Sequence, residues 1–364
     1  MSTFDDPAPM ARPTPAELDA YRSQSVVSDP GEHGDWLDAV RPDPASMRET
    51  AVALVHHYRA FGDPAEQGFA PERIDEIDLR YADTILGRLR ELDPTPPPAA
   101  RAATDTVLGC CRDHTLLMVT QLRRRGVPAR ARVGFAGYFV DPWMLDHVVA
   151  EVWDAEQDRW RLMDCDVPDG HRDASTGELL DLTDIPRDRF VVGAKAWQLA
   201  RAGGDDAQRF AVGPDVPIPF LRGFHQIAYD MLLDLASLAK HEMLQWDGWG
   251  ILDQIGRRRP GDARPLRRRG RDARGPGGLA RRGSRPVRRR PVPGPVDDHR
   301  AVTARSGAAA GAAAHPTGPH RTGPHRAGYR GGLIRRSCLQ PSRSTSPGAT
   351  QWPVGTASPP PSTR

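Results

Sequence analysis

An abrupt change in composition at Gly256 limits how much of the 364-residue chain can fold around a core. From Gly256 to the end the chain carries 24 arginines, no lysine and only four acidic residues, a net charge of +20, whereas the first 255 residues carry −17. The segment after Gly256 has no apolar period, so it cannot bury enough surface to offset the entropy lost on ordering. We therefore predict a folded part within residues 1–255 and a disordered tail rich in Arg, Gly and Pro over residues 256–364.

Three interpretations of the tail stay open. A GC-rich gene read out of frame would produce such a string, because Arg, Gly, Pro and Ala have the most GC-rich codons, and the abrupt start favours this interpretation. A solvated, disordered native tail is the second. The third is an arginine-rich arm for nucleic acid or acidic partners, but Tyr329 and Trp352 are its only aromatic residues for stacking on bases. We expect nucleic acid to bind only through the tail, if it binds at all.

The first 255 residues have the composition of a soluble protein. No stretch approaches the ~18–20 consecutive apolar residues of a membrane-spanning helix, and the N-terminus lacks the apolar core of a secretory signal. The four cysteines are irregularly spaced and do not indicate a disulfide framework. These features predict a cytoplasmic protein that does not contact membranes.

Residues 1–100 are predicted to form an N-terminal helical region in which short helices alternate with prolines. Thr14-Pro15-Ala16-Glu17 is the pattern of a capping box. A second helix begins at Asp43-Pro44 and, as predicted, extends through His56-His57 to the glycine and proline of residues 62–64. A third spans residues 71–92 and ends at the proline cluster of residues 94–98.

Residues 101–255 are predicted to form the core, with a C-terminal helical extension. A helix ends at Gly126, and strand-like runs follow at residues 131–138, 148–153 and 160–163. Further helices are predicted at residues 194–202 and 224–246. The order of these elements predicts an α+β fold, in which one helix packs on an antiparallel sheet.

Cys111 is the candidate nucleophile, because it directly precedes the predicted amphipathic helix. The helix dipole and the unpaired backbone N–H groups at this position lower a thiol pKa, and the same N–H groups can hold an oxyanion. We therefore expect a lowered pKa for the Cys111 thiol. Cys110 lies further from the first helical turn. Both cysteines could instead be small buried residues.

His147 and Asp164 are the candidate base and its orienting partner. His147 stands at the start of one strand-like run, Asp164 follows the next, and a short hairpin joins the two. In an antiparallel pair the start of one strand lies beside the end of the next, so the two side chains are predicted to be neighbours. Together with Cys111 they would form a Cys-His-Asp triad. The alternatives are a strand-capping histidine and a turn aspartate.

The segment around these residues resembles the transglutaminase-like superfamily, whose bacterial members share a papain-like Cys-His-Asp core. The elements that carry the resemblance are Gly109-Cys110-Cys111-Arg112-Asp113, Arg123-Arg124-Arg125-Gly126-Val127-Pro128-Ala129-Arg130, Gly134-Phe135, His147, Glu151-Val152-Trp153 and Trp160-Arg161-Leu162-Met163-Asp164. The resemblance implies a papain-like fold with Cys111 as nucleophile, His147 as base and Asp164 as orienting residue. The flanking segments Asp184-Ile185-Pro186-Arg187-Asp188-Arg189-Phe190 and His241-Glu242-Met243-Leu244-Gln245-Trp246-Asp247-Gly248-Trp249-Gly250 are similar to one bacterial subgroup.

Thiol-dependent acyl transfer on a peptide or other amide substrate is the predicted function. The resemblance favours hydrolysis over transamidation, because bacterial members of the superfamily are more often hydrolase-like. We predict no cofactor and no metal, because adjacent cysteines are poor ligands for a single tetrahedral ion and no paired ligand motif is present. The sequence also lacks a phosphate-binding glycine motif. Two alternatives remain: a catalytically inactive binding module on the same fold, and a nucleic-acid-associated protein that acts through the tail.

Overall fold

The computed structural model describes residues 12–203 and 205–250, and the predictions for the tail lie outside these residues. The α-helices in this part of the chain are α1 (Pro15–Arg22), α2 (Pro44–Leu54), α3 (Ala82–Leu92), α4 (Cys111–Arg124), α5 (Gly193–Ala202) and α6 (Gly223–Leu238). The strands are β1 (Val55–His57), β2 (Val107–Gly109), β3 (Ala129–Ala136), β4 (Met144–Asp154), β5 (Arg159–Met163), β6 (Phe190–Val192) and β7 (Phe210–Ala211). Short 3-10 helices cover Gly31–Ala39, Pro64–Gln67, Pro71–Asp78, Ala103–Asp105, Ala207–Arg209 and Pro219–Leu221.

The main sheet has the strand order β5-β4-β3-β6, and its neighbouring strands in that order are antiparallel. The short strand β7 adds to β4 in parallel. The three predicted strand-like runs are β3, β4 and β5, and β4 begins four residues earlier than expected. Helix α4 packs on this sheet, with Leu117 and Leu122 in one apolar cluster with Ala150 and Val152 of β4. The predicted α+β fold, with a helix on an antiparallel sheet, is therefore confirmed.

The N-terminal helical region differs from the prediction after residue 54. Helix α2 ends at Leu54, and His56 and His57 lie on β1 rather than on a helix. Strand β1 pairs in parallel with β2, so that His57 lies opposite Gly109, two residues before Cys111. Pairing with a strand some 50 residues away in sequence overrides the helical pattern here, because β1 gains backbone hydrogen bonds that local propensity does not register.

Two other helices are shorter than predicted. The 71–92 stretch is a 3-10 helix over Pro71–Asp78 followed by α3, while the capping box at Thr14 is present as expected. Helix α6 ends at Leu238 instead of continuing to residue 246, because Lys240 adopts a left-handed backbone conformation with φ 62° and His241 N–H donates back to Ala236. The helices of the described part include none with the length and apolar character needed to span a bilayer.

Candidate active site

The N-terminus of α4 holds Cys111 in place through a backbone cap. Cys110 is the N-cap residue, with extended φ and ψ, and its N–H donates to Asp113 Oδ2 at 2.9 Å. The carbonyl of Cys110 accepts from the N–H groups of Asp113 and His114. Helix α4 therefore begins at Cys111, where the backbone N–H has no intrahelical acceptor. The Cys111 side chain is buried, with 6% of its surface exposed.

Arg112 ties this helix start to the rest of the fold. Its guanidinium donates to Asp113 Oδ1 at 2.8 Å and, through Nη2, to the carbonyls of Arg80 and Glu242 at 2.6 Å each. The Cys-Arg-Asp order of the motif thus has a structural reason. The aspartate caps the helix, and the arginine anchors it to two segments that are distant in sequence.

His147 and Asp164 are in direct contact, as the hairpin predicts. His147 Nε2 lies 2.9 Å from Asp164 Oδ2, and both side chains are buried. The pairing of β5 with β4 stops at Met163, which lies opposite Ala150. Asp164 then leaves the ladder and meets His147 diagonally. It is held there by its N–H to the Leu182 carbonyl and by its own carbonyl, which accepts from Arg48 Nε at 2.6 Å.

Asp164 is stabilised as a carboxylate. Burial raises its pKa, but the charge of His147 and its hydrogen bond lower it, so that the net shift is downward. Its Oδ1 accepts from the N–H groups of Asp166 and Val167, and its Oδ2 also accepts from Tyr138 Oη. Burial lowers the pKa of His147 and Asp164 raises it, with a net upward shift. The imidazole is therefore a better proton acceptor than an isolated buried histidine.

The structure brings the Cys111 helix against the His147 strand. Cys111 packs in one apolar cluster with Val148, the residue after His147, and Thr115 Oγ1 donates to the Val148 carbonyl at 3.0 Å. Because Asp164 occupies Nε2 of His147, the other ring nitrogen, Nδ1, is the one left for a proton from the thiol. The described contacts include no hydrogen bond between Cys111 and His147.

The expectation of a lowered Cys111 pKa was wrong for this structure. The contact with Cys110 and burial raise the pKa of the Cys111 thiol well above its usual value, and the nearby carboxylates of Asp166 and Asp146 raise it further. A thiolate in apolar surroundings loses hydration and is repelled by anions, which opposes the favourable effect of a helix N-terminus. The thiol is therefore protonated at rest.

A second group of titratable side chains lies beside the site, and the sequence did not reveal it. Asp166 Oδ1 lies 3.0 Å from His114 Nε2, and Asp166 Oδ2 lies 3.9 Å from His57 Nε2. Nδ1 of His57 accepts the N–H groups of Arg59 and Ala60. Burial raises the pKa of Asp166, but His57 and His114 lower it to a net value well below the usual range.

No spacing pattern in the sequence could have predicted the group formed by Asp166, His57 and His114. His57 comes to lie opposite Gly109 through the parallel pairing of β1 with β2, and these two residues are about 50 positions apart in the sequence. The only local hint was the position of Asp166, two residues after Asp164 in the same turn.

Trp246 and Trp249 pack partly buried against the Cys111 cluster. Both tryptophans lie in the segment that follows α6. Trp246 Nε1 donates to Asp78 Oδ1 at 2.9 Å, which fixes this segment over the N-terminal region.

One comparison with known proteins agrees with the sequence motifs. Residues 65–165 match the family model of the transglutaminase-like superfamily, and this range contains Cys111, His147 and Asp164. No curated protein matches the chain. Among solved structures, the chain is similar to a candidate cysteine protease from Cytophaga hutchinsonii, at 14% identity and a TM-score of 0.29. That match covers 50% of this chain and 49% of the other. Residues 65–165 are therefore similar to the transglutaminase-like superfamily.

Proposed function

We propose that the chain is a thiol-dependent enzyme that transfers the acyl group of an amide substrate, with Cys111 as nucleophile, His147 as base and Asp164 as orienting residue. The observation that carries the proposal is the 2.9 Å contact between His147 Nε2 and Asp164 Oδ2, on the strand that packs against the Cys111 helix. It fixes the imidazole with Nδ1 left to accept a proton, which is the arrangement that a cysteine nucleophile requires.

The reaction begins with proton transfer, because the resting thiol is protonated. Nδ1 of His147 takes the Cys111 proton as the sulfur attacks the amide carbonyl carbon, and Asp164 stabilises the imidazolium that forms. The tetrahedral oxyanion accepts a hydrogen bond from the backbone N–H of Cys111 at the start of α4. Its collapse breaks the C–N bond, and the leaving amine takes the proton from His147.

The thioester is then resolved by an acceptor. Water, deprotonated by the neutral His147, releases a carboxylic acid and regenerates the Cys111 thiol. An amine in place of water gives transamidation by the same proton transfers. We favour hydrolysis, as the family resemblance implies, and analysis of the reaction products distinguishes water from an amine as the acceptor.

The experiment is iodoacetamide alkylation of the full chain between pH 5 and 10, with mass spectrometry to assign each adduct to a cysteine. We expect His147→Ala to slow alkylation of Cys111 at pH 7 by at least about tenfold, since general acid–base assistance contributes about 10²–10⁴-fold. His225→Ala, at an exposed position, is the matched control, and Cys110→Ser separates the two adjacent thiols. Equal rates and equal pH midpoints in the wild type and His147→Ala would overturn the proposal and favour a non-catalytic binding module.

A further inference from the structure

A pair of carboxyl groups lies beside the proposed nucleophile and takes no part in the triad. Asp146 precedes Val148 by two residues and therefore shares its face of β4, the face on which Val148 packs with Cys111. Asp230 lies one turn before Leu233 on α6, and Leu233 belongs to the same apolar cluster. Burial and then Asp146 raise the pKa of Asp230, and Asp146 adds to the effect of Cys110 and burial on the pKa of the Cys111 thiol, so that these three groups are within electrostatic reach of one another.

The hydrogen bonds made by Asp146 and Asp230 leave some acceptor oxygens at this site without a donor. Gln226 Nε2 donates to Asp230 Oδ1 and Gln245 Nε2 donates to Asp146 Oδ1, each at 2.9 Å. Asp230 Oδ2 and Gln245 Oε1 are buried and have no hydrogen-bond partner in the described part of the chain. Asp230 is completely buried, with 0% of its surface exposed, and a buried acceptor without a donor is costly.

No cation in the described part of the chain forms an ion pair with either carboxyl. This contrasts with Glu151, a few residues along β4, which contacts the guanidinium groups of Arg130, Arg132 and Arg187. Burial raises the pKa of Asp146 to about 6. His147 and Arg59 lower it from a distance, but neither forms a contact of 4 Å or less with it. The described residues also contain no cluster of three or more side chains suited to a metal ion.

We infer that Asp146, Asp230 and Gln245 form a subsite for a protonated primary amine carried on the amide substrate, an inference that rests on the proposed function. The site presents buried carboxyl and amide oxygens with too few hydrogen-bond partners, and the negative charge of Asp146 has no cation beside it among the described residues. An ammonium group supplies three N–H donors for the unpaired oxygens and one positive charge for the carboxylate. Asp146 is only partly buried and offers the route of approach, whereas Asp230 is completely buried. The subsite would therefore select substrates with a cationic group near the scissile bond.

The test compares three methanethiosulfonates that modify Cys111: the 2-aminoethyl, 2-(trimethylammonio)ethyl and ethyl reagents. In each reaction the thiolate attacks the sulfenyl sulfur, a mixed disulfide forms and methanesulfinate leaves. We expect the aminoethyl reagent to be favoured over the ethyl reagent at least about tenfold in the wild type, with rates corrected for reaction with a free thiol. The trimethylammonium reagent, which has the charge but no N–H group, should gain less. Asp146→Asn with Asp230→Asn should abolish the preference, and Asp188→Asn, at an exposed position, should retain it.

A second readout does not depend on the reactivity of the thiol. Butylammonium should raise the Tm of the wild type more than butyltrimethylammonium does, and it should have no such effect on the double variant. If Cys111 resists all three reagents but butylammonium still raises the Tm, the proposed function fails and the subsite stands. If Cys111 reacts without preference and butylammonium has no effect, the subsite is overturned while the proposed function stands.

A third measurement identifies the side of the scissile bond that carries the amine. Protection of Cys111 from the ethyl reagent is compared between 6-aminohexanamide, with the amine on the acyl side, and N-(4-aminobutyl)acetamide, with the amine on the leaving-group side. Hexanamide and N-butylacetamide are the uncharged controls. Stronger protection by either amine than by its uncharged control supports the subsite and shows on which side of the scissile bond the amine lies. Equal protection by all four amides contradicts the subsite.

Discussion

Tyr138 and His147 share one oxygen of Asp164. The Tyr138 hydroxyl donates to Oδ2 at 2.6 Å, and His147 Nε2 contacts the same atom at 2.9 Å, so that this oxygen has two partners while Oδ1 is held by backbone N–H groups. Burial and the charge of Asp164 raise the pKa of Tyr138 well above its usual value, so the phenol remains a donor throughout the working pH range. Tyr138 therefore competes with the imidazole for the negative charge of Asp164.

Removal of this hydroxyl by Tyr138→Phe should raise the pKa of His147. Without the Tyr138 hydrogen bond, the negative charge of Asp164 Oδ2 is less stabilised by other donors. It therefore interacts more strongly with the imidazole and favours the protonated form of His147. We expect an upward shift of about half a pH unit or more, measured by NMR titration of the His147 ring, and a loss of about 1–3 kcal/mol in the free energy of unfolding. Tyr21→Phe, which removes a hydroxyl that donates to the Leu238 carbonyl instead of to the triad, should leave the His147 titration unchanged. A downward shift in Tyr138→Phe would contradict this reading of the shared oxygen.

Asp166→Asn should make Cys111 more reactive rather than less. The Asp166 carboxylate raises the pKa of the Cys111 thiol, so its neutralisation should move the alkylation midpoint of Cys111 to lower pH. The measurement is the rate of iodoacetamide labelling as a function of pH. Asp169→Asn, a neighbouring and more exposed carboxyl, provides the comparison. A midpoint that moves to higher pH would show that Asp166 acts on the thiol through His57 and His114 instead of through its own charge.

The buried ion pairs of Glu151 should make the free energy of unfolding decrease at low pH. Burial raises the pKa of Glu151, but Arg132 and Arg130 lower it to a net value of about 2, against 4.5 in an unfolded chain. Between these values the unfolded state binds more protons, so the contribution is complete above pH 4.5 and is lost as the pH falls through 2. The shift corresponds to about 3 kcal/mol, as an order of magnitude.

Urea denaturation of the wild type and Glu151→Gln at pH 7, 4.5 and 3 measures this effect. We expect the wild type to be more stable at pH 7, and the difference between the two proteins to shrink as the pH falls toward 3. Glu178→Gln, at an exposed residue, should match the wild type at every pH. A difference that stays constant with pH would mean that the pKa of Glu151 is not lowered in the folded state.

Gly134 should not tolerate a side chain. It lies opposite His147 in the β3–β4 ladder, and a Cβ atom added to it would lie 2.3 Å from the Val191 carbonyl oxygen on β6. We expect Gly134→Ala to force β6 away from β3 and to cost about 1–3 kcal/mol in the free energy of unfolding, measured by denaturant titration. Unchanged stability in Gly134→Ala would mean that β6 can move without cost.

The part of the site that depends on short sequence spacing could be predicted. The helix that begins at Cys111 follows from its amphipathic pattern, and the neighbourhood of His147 and Asp164 follows from a hairpin that joins their strands. The capping box at Thr14 is equally local. These features involve residues close in sequence, whose relative positions are set by helix and hairpin geometry with little contribution from the rest of the fold.

The predictions for His57 and for the end of α6 were wrong because contacts between residues distant in sequence decide the structure there. His57 was placed on a helix because its surroundings have a helical pattern, but its partner strand ends at Gly109, and no local rule selects that partner. The end of α6 was misplaced for a related reason. Lys240 turns out of the helix and its Nζ donates to the carbonyls of Ala20 and Ser23, contacts that exist only in the folded chain.

By itself, the sequence determined which residues could carry the chemistry: a thiol at the start of a helix, and an imidazole and a carboxyl group joined by one hairpin. Only the tertiary structure decided their electrostatics. Burial, the neighbouring thiol of Cys110 and the carboxylates of Asp166 and Asp146 turn the expected activated thiol into one that is protonated at rest. Spacing along the chain sets the order of chemical groups, whereas a pKa depends on every charge and apolar surface that folding brings within a few ångströms.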